Sequence, residues 1–64
     1  MEKTSKLVAR LRRAGFVLVR HGKKHDIYEH PSTHKRVSVW RHSRDIPSGT
    51  YLSILRDAGL SGED

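Results

Sequence analysis

Five histidines stand in this chain of 64 residues, at positions 21, 25, 30, 34 and 42. Histidine has an ordinary pKa of about 6.5 and so exchanges protons near neutrality. His25 follows Gly22-Lys23-Lys24, and an imidazole base among cations suits cleavage of a ribonucleotide backbone. The base takes the proton of the 2′-hydroxyl, and the cations offset the charge that builds on the scissile phosphate. A solvated strand residue is the more common meaning of such a histidine, and the residue types alone leave both readings open. His30 and His34 have the spacing of a metal pair, but Pro31-Ser32-Thr33 between them make a turn, and a chain with no cysteine offers no thiolate to complete a zinc site. No metal and no other cofactor is expected.

Charge points the same way as the lysines around His25. Thirteen Lys and Arg against seven Asp and Glu give a formal net charge of +6. Residues 1–44 hold twelve of the basic residues and three acidic ones, net +9, while residues 45–64 hold Arg56 against four acidic residues, net −3. A compact basic domain implies a polyanionic partner, either nucleic acid, an acidic protein or anionic lipid. Lys6, Arg10, Arg12 and Arg13 on a helix are more often a solvated face than a binding site. Lys23, Lys24, Lys35 and Arg36 lie near the two turns between strands, where a phosphate backbone can be met. Tyr28 and Trp40 are candidates to stack on bases, or to pack in a core short of aromatics.

The elements that position these residues follow from spacing. Thr4 is a candidate N-cap, and Leu7, Val8, Leu11 and Ala14 form the apolar stripe of a helix over residues 5–14 that Gly15 ends. Phe16 to Arg20 reads as a strand, and His21-Gly22-Lys23-Lys24 as a turn. His25 to His30 alternates, with Asp26, Tyr28 and His30 on one face and His25, Ile27 and Glu29 on the other. Arg36 to Trp40 repeats that period and closes a hairpin. Ser48 or Gly49 can cap a second helix that runs to about Ala58, buries Leu52, Ile54, Leu55 and Ala58 with Tyr51 near the edge, and ends at Gly59, after which Leu60 packs back. The tail Ser61 to Asp64 is expected to fray. The order αβββα predicts an α+β domain over residues 1–64, with a three-stranded antiparallel sheet polar on one side and covered by both helices on the other.

Size and composition bound the rest. A chain of 64 residues buries only about 60% of its unfolded surface, which excludes a two-domain enzyme with a deep cleft. The absence of cysteine excludes a disulfide framework and favours a cytoplasmic setting. Apolar runs such as Phe16 to Val19 are far shorter than the roughly 20 residues needed to span a bilayer, and no membrane association is expected. Runs of strands between two helices, with no Gly-rich phosphate loop, argue against a nucleotide fold.

Across nearly its whole length the sequence resembles the HicA, or YcfA-like, toxin family. The matching residues are Leu7 to Leu11, Ala14-Gly15-Phe16 with Val17-Leu18-Val19-Arg20, Lys24-His25, and His30-Pro31. The most specific block is Asp45-Ile46-Pro47-Ser48-Gly49-Thr50 followed by Ile54-Leu55-Arg56-Asp57-Ala58-Gly59-Leu60. The resemblance implies a double-stranded-RNA-binding-like αβββα fold. It also implies an mRNA interferase activity in a type II toxin-antitoxin system, metal-independent and using His25 as its catalytic base. Lys23 and Lys24 would then contact phosphate, with Arg20, Lys35 and Arg36 as secondary RNA contacts, and His21, His30 and His42 take no catalytic role. Lys23-Lys24 stand where many members have glycine and a small residue, a departure in the turn itself. The implied partners are mRNA and an acidic HicB-like antitoxin. Two other readings stay open: a non-catalytic module of the double-stranded-RNA-binding type, and an interaction protein that meets only an acidic partner.

Overall fold

The computed structural model describes residues 1–40 and 44–60; His42 and the tail from Ser61 lie outside the described residues. The elements run β1 (Glu2–Lys3), α1 (Thr4–Arg13), β2 (Val17–His21), β3 (His25–Glu29), β4 (Arg36–Trp40), β5 (Asp45–Ile46) and α2 (Ser48–Asp57). Strands β2, β3 and β4 form an antiparallel sheet in that order, and β1 pairs with β5 in a separate two-stranded ladder. The architecture is the α+β arrangement expected from the alternation of helical and strand periods. Among the described residues no helix is long and apolar enough to cross a membrane.

The helices end by one device used twice. Gly15 (φ 103°) and Gly59 (φ 81°) follow the caps Ala14 and Ala58 in the left-handed region that favours glycine. The Gly15 amide donates to the Arg12 carbonyl and the Phe16 amide to the Leu11 carbonyl, at 3.0 and 2.9 Å. Gly59 and Leu60 repeat the pattern onto Arg56 and Leu55, at 3.0 and 2.8 Å. The apolar residue after each glycine is thereby folded onto the helix it follows: Phe16 is buried and Leu60 partly so.

The helix starts differ from expectation. Lys3 holds the cap position of α1 with no side-chain capping bond, and the Thr4 amide donates to the Arg44 carbonyl at 2.9 Å. Pro47 precedes α2 in the same uncapped way, and Ser48 is its first residue. The β1–β5 ladder, pairing Glu2 with Ile46 and Lys3 with Asp45, ties the two helix entrances together.

The core gathers Leu7, Leu11, Phe16, Tyr28, Val37, Val39, Ile46, Tyr51, Leu55 and Ala58 between the helices and one face of the sheet. Leu7, Leu11 and Leu55 are fully buried, each contributing on the order of 1.5–3 kcal/mol. In α2 the buried stripe is Tyr51, Leu55 and Ala58, whereas Leu52 is exposed. One position rotates a side chain by about 100°, which is enough to turn Leu52 outward and Tyr51 in. The uncovered face of the sheet also departs from the polar surface expected, because Val19 and Trp40 are about half exposed and Ile27 is only partly covered.

Candidate active site

Strict alternation along β3 sets the site. Tyr28 enters the core, so His25, Ile27 and Glu29 point to the uncovered face, opposite Trp40, Ser38 and Arg36 of β4. His25 is half-buried because its ring lies on Trp40, with centroids 4.2 Å apart and planes tilted by 48°. The turn before it is closed by the Gly22 amide donating to the His25 carbonyl at 2.9 Å. A Cβ on Gly22 would stand 2.7 Å from that oxygen, so the chain approaches His25 too closely for a side chain. Lys23 and Lys24 are exposed at the tip. Arg20, Gly22, Lys23, Lys24, His25 and Ile27 line one shallow depression of about 220 Å³.

Arg20 reaches this face through an irregularity. Leu18 pairs with Tyr28 and Arg20 with Ile27, leaving Val19 as an extra residue in β2. Without that bulge, Phe16, Leu18 and Arg20 would share the core-facing side; with it, Arg20 turns to the face of His25. Nothing in the run Val17-Leu18-Val19-Arg20, which has no glycine or proline, marks the bulge in the sequence.

The remaining basic candidates are not gathered at His25. Lys35 lies at the C-terminal end of α2, where a Cβ on Gly59 would stand 2.7 Å from its Nζ, a location that favours a cation. Arg36 is on the same face as His25 but four residues away along the hairpin, about 13 Å. Its Nε donates to Glu29 Oε1, and the Glu29 carboxylate also meets His34 Nδ1 at 3.3 Å. The Arg36 hydrogen bond first, and that of His34 second, hold the Glu29 carboxyl below its ordinary range.

His21 and His30 have structural surroundings. His21 Nδ1 lies 3.0 Å from Asp26 Oδ1 on the core-facing side of the sheet, so Asp26 is turned away from His25. His30 stands edge-on to Phe16 at 5.3 Å, and its Nδ1 accepts from the amides of Ser32 and Thr33 at 3.1 and 3.4 Å. Those bonds occupy Nδ1 of His30, and among the described residues no three His, Cys, Asp or Glu side chains form a metal-holding group. Tyr28 is buried and unavailable for stacking, although Arg12 of α1 lies 5.8 Å from its ring centre. Trp40 as the partner of His25 was within reach of sequence reasoning, since a hairpin that pairs Glu29 with Arg36 must also pair position 25 with position 40.

The arrangement is an imidazole on an uncovered sheet face, backed by an indole and rimmed by three cations. Comparison with curated proteins returned no match. The family model described as the HicA toxin of bacterial toxin-antitoxin systems matches residues 4–60, from the start of α1 to the residue that folds back after α2, and the chain belongs to that family, the toxin half of a toxin-antitoxin pair.

Proposed function

We propose that this chain is a metal-independent endoribonuclease that cleaves single-stranded mRNA, with His25 as the general base. The observation that carries the reading is the joint placement of His25, Lys23, Lys24 and Arg20 around one depression on the uncovered face. His25 removes the proton of a ribose 2′-hydroxyl, the oxygen attacks the adjacent phosphorus, and the chain is left with a 2′,3′-cyclic phosphate. Lys23, Lys24 and Arg20 supply the positive charge that stabilises the phosphorane as it forms. Among the described residues no hydrogen bond holds a ring nitrogen of His25, which leaves the base free to meet its substrate. Lys35 and Arg36, further off, contribute to general attraction of the polyanion. An acidic HicB-like antitoxin in the cytoplasm would neutralise the toxin by covering His25, as charge complementarity favours.

The test is product analysis. A labelled single-stranded RNA incubated with the protein in EDTA should yield fragments ending in a 2′,3′-cyclic phosphate, and a 2′-deoxy nucleotide at the cleaved position should abolish that cut. Cleavage that survives the 2′-deoxy substitution would sink the mechanism, and binding without cleavage would leave only an RNA-binding module.

A further inference from the structure

The uncovered face holds a second depression, of about 440 Å³, lined by Val19, Arg20, Ile27, Arg36, Val37 and Ser38. It shares Arg20 and Ile27 with the depression around His25, so the two adjoin across one wall. Its character is different. The lysines are absent, the floor is aliphatic, and the polar groups are one hydroxyl and two guanidinium groups at opposite rims.

We propose that this depression is a subsite for one nucleobase, that of the nucleotide next to the scissile phosphate; the proposal rests on the reading of the neighbouring depression as an RNA-cleaving site. Three observations lead to it. The first is spacing: Ile27 and its partner Ser38 lie two residues along the hairpin from His25 and Trp40, about 6.6 Å, of the order of one step along an unstacked nucleotide chain. The second is chemistry. A base presents an apolar face and a polar edge; Val19 and Ile27 offer a surface for the face, and the Ser38 hydroxyl donates to or accepts from the edge. Arg20 and Arg36 offer planar cations that stack on bases. The third is preparation. Glu29 fixes the Arg36 guanidinium through Nε and keeps it at the rim, and the Val19 bulge turns Arg20 toward the same space. A volume of this size has room for a base, and the lysines of the adjoining depression lie where its phosphate would be met.

Two adjoining sites of different character divide the labour. The lysine-rimmed one takes phosphate and carries the chemistry, and the aliphatic one reads the adjacent base through Ser38, giving the cleavage a sequence preference.

The test is a double-substitution cycle on binding, read by fluorescence anisotropy with the His25→Ala protein so that the RNA stays intact. Short single-stranded RNAs lacking one base, at each position in turn, are compared on the His25→Ala background with and without Ile27→Ser. At one position, loss of the base should weaken binding about tenfold on the Ile27 background and hardly at all with Ile27→Ser. Ser38→Val provides the second cycle and should change which base is preferred at that position. Independent effects of base removal and of both substitutions would overturn the subsite, even if the wild-type protein cleaves RNA. Coupled effects would establish it even if no cleavage is found, in which case the catalytic reading alone fails. Circular dichroism confirms that each variant is folded, as expected for side chains that stand outside the core.

Discussion

Strand β3 carries a histidine at each end, and the two lie in opposite worlds. His25 opens the strand on the uncovered face, its ring tilted against Trp40 beside two exposed lysines. His30 follows its last residue on the covered side, wedged between Phe16 and Gly15 with two backbone amides on Nδ1. In its neutral form that ring carries its proton on Nε2, and both faces of its role are structural: it holds the Pro31–Lys35 turn and fills the space beyond the α1 cap. Under the proposed function, the same residue type serves as reagent or as strut according to which side of the sheet alternation assigns it. A count of histidines cannot separate the two; their place in the period of two does.

Four substitutions break or sharpen that contrast. The largest effect is expected at the His25 end from Gly22→Ala, whose new methyl would press on the His25 carbonyl. A displacement of the order of an ångström in the base should lower RNA cleavage about a hundredfold, measured on protein shown by circular dichroism to be folded. At the His30 end, Gly15→Ala places a side chain at φ 103° and 3.0 Å from His30 Nε2. It should cost about 2 kcal/mol of stability in urea denaturation while leaving cleavage per folded molecule unchanged. His30→Ala removes the acceptor of two exposed amides and the Phe16 contact, and should cost about 1 kcal/mol, a fall in Tm of roughly 4–8 °C.

The smallest effect is a pH dependence. Because the folded-state carboxyl of Glu29 is held low by Arg36 and then His34, its stabilising contribution is present above the ordinary carboxyl value of 4.5 and is lost as pH falls below it. Glu29→Gln should therefore lower Tm slightly near neutrality, where the wild-type carboxylate is charged, and converge on the wild type as pH falls below 4.5, which flattens the acid limb of Tm against pH. A variant whose acid limb matches the wild type would show that the Arg36 pair does not persist in solution.

Much of this was legible before the structure, and the exceptions have physical causes. The αβββα order, the two faces of β3 and the Ala-Gly-apolar helix ends are each repeated or periodic over several residues, and the structure has them. The β1–β5 ladder spans two residues per strand, too few for any period to show. The choice between Tyr51 and Leu52 turns on one position of helical phase, which packing of α2 on the rest of the core decides and the helix's own residues do not. In the candidate site, His25 with Lys23 and Lys24 follows from chain adjacency. Arg20 joined them only through the bulge at Val19. Lys35 and Arg36, adjacent in sequence, were divided by alternation, one beside the end of α2 and the other on the far part of the uncovered face.

The central claim is that one histidine carries the chemistry and that its position, not its type, selects it. It is tested most directly by assaying wild type, His25→Ala and His30→Ala side by side on the same labelled single-stranded RNA in EDTA, at a temperature where all three are folded by circular dichroism. The account predicts that His25→Ala loses at least about a hundredfold in rate while His30→Ala cleaves as wild type does. Equal rates for wild type and His25→Ala, or a loss confined to His30→Ala, would contradict it.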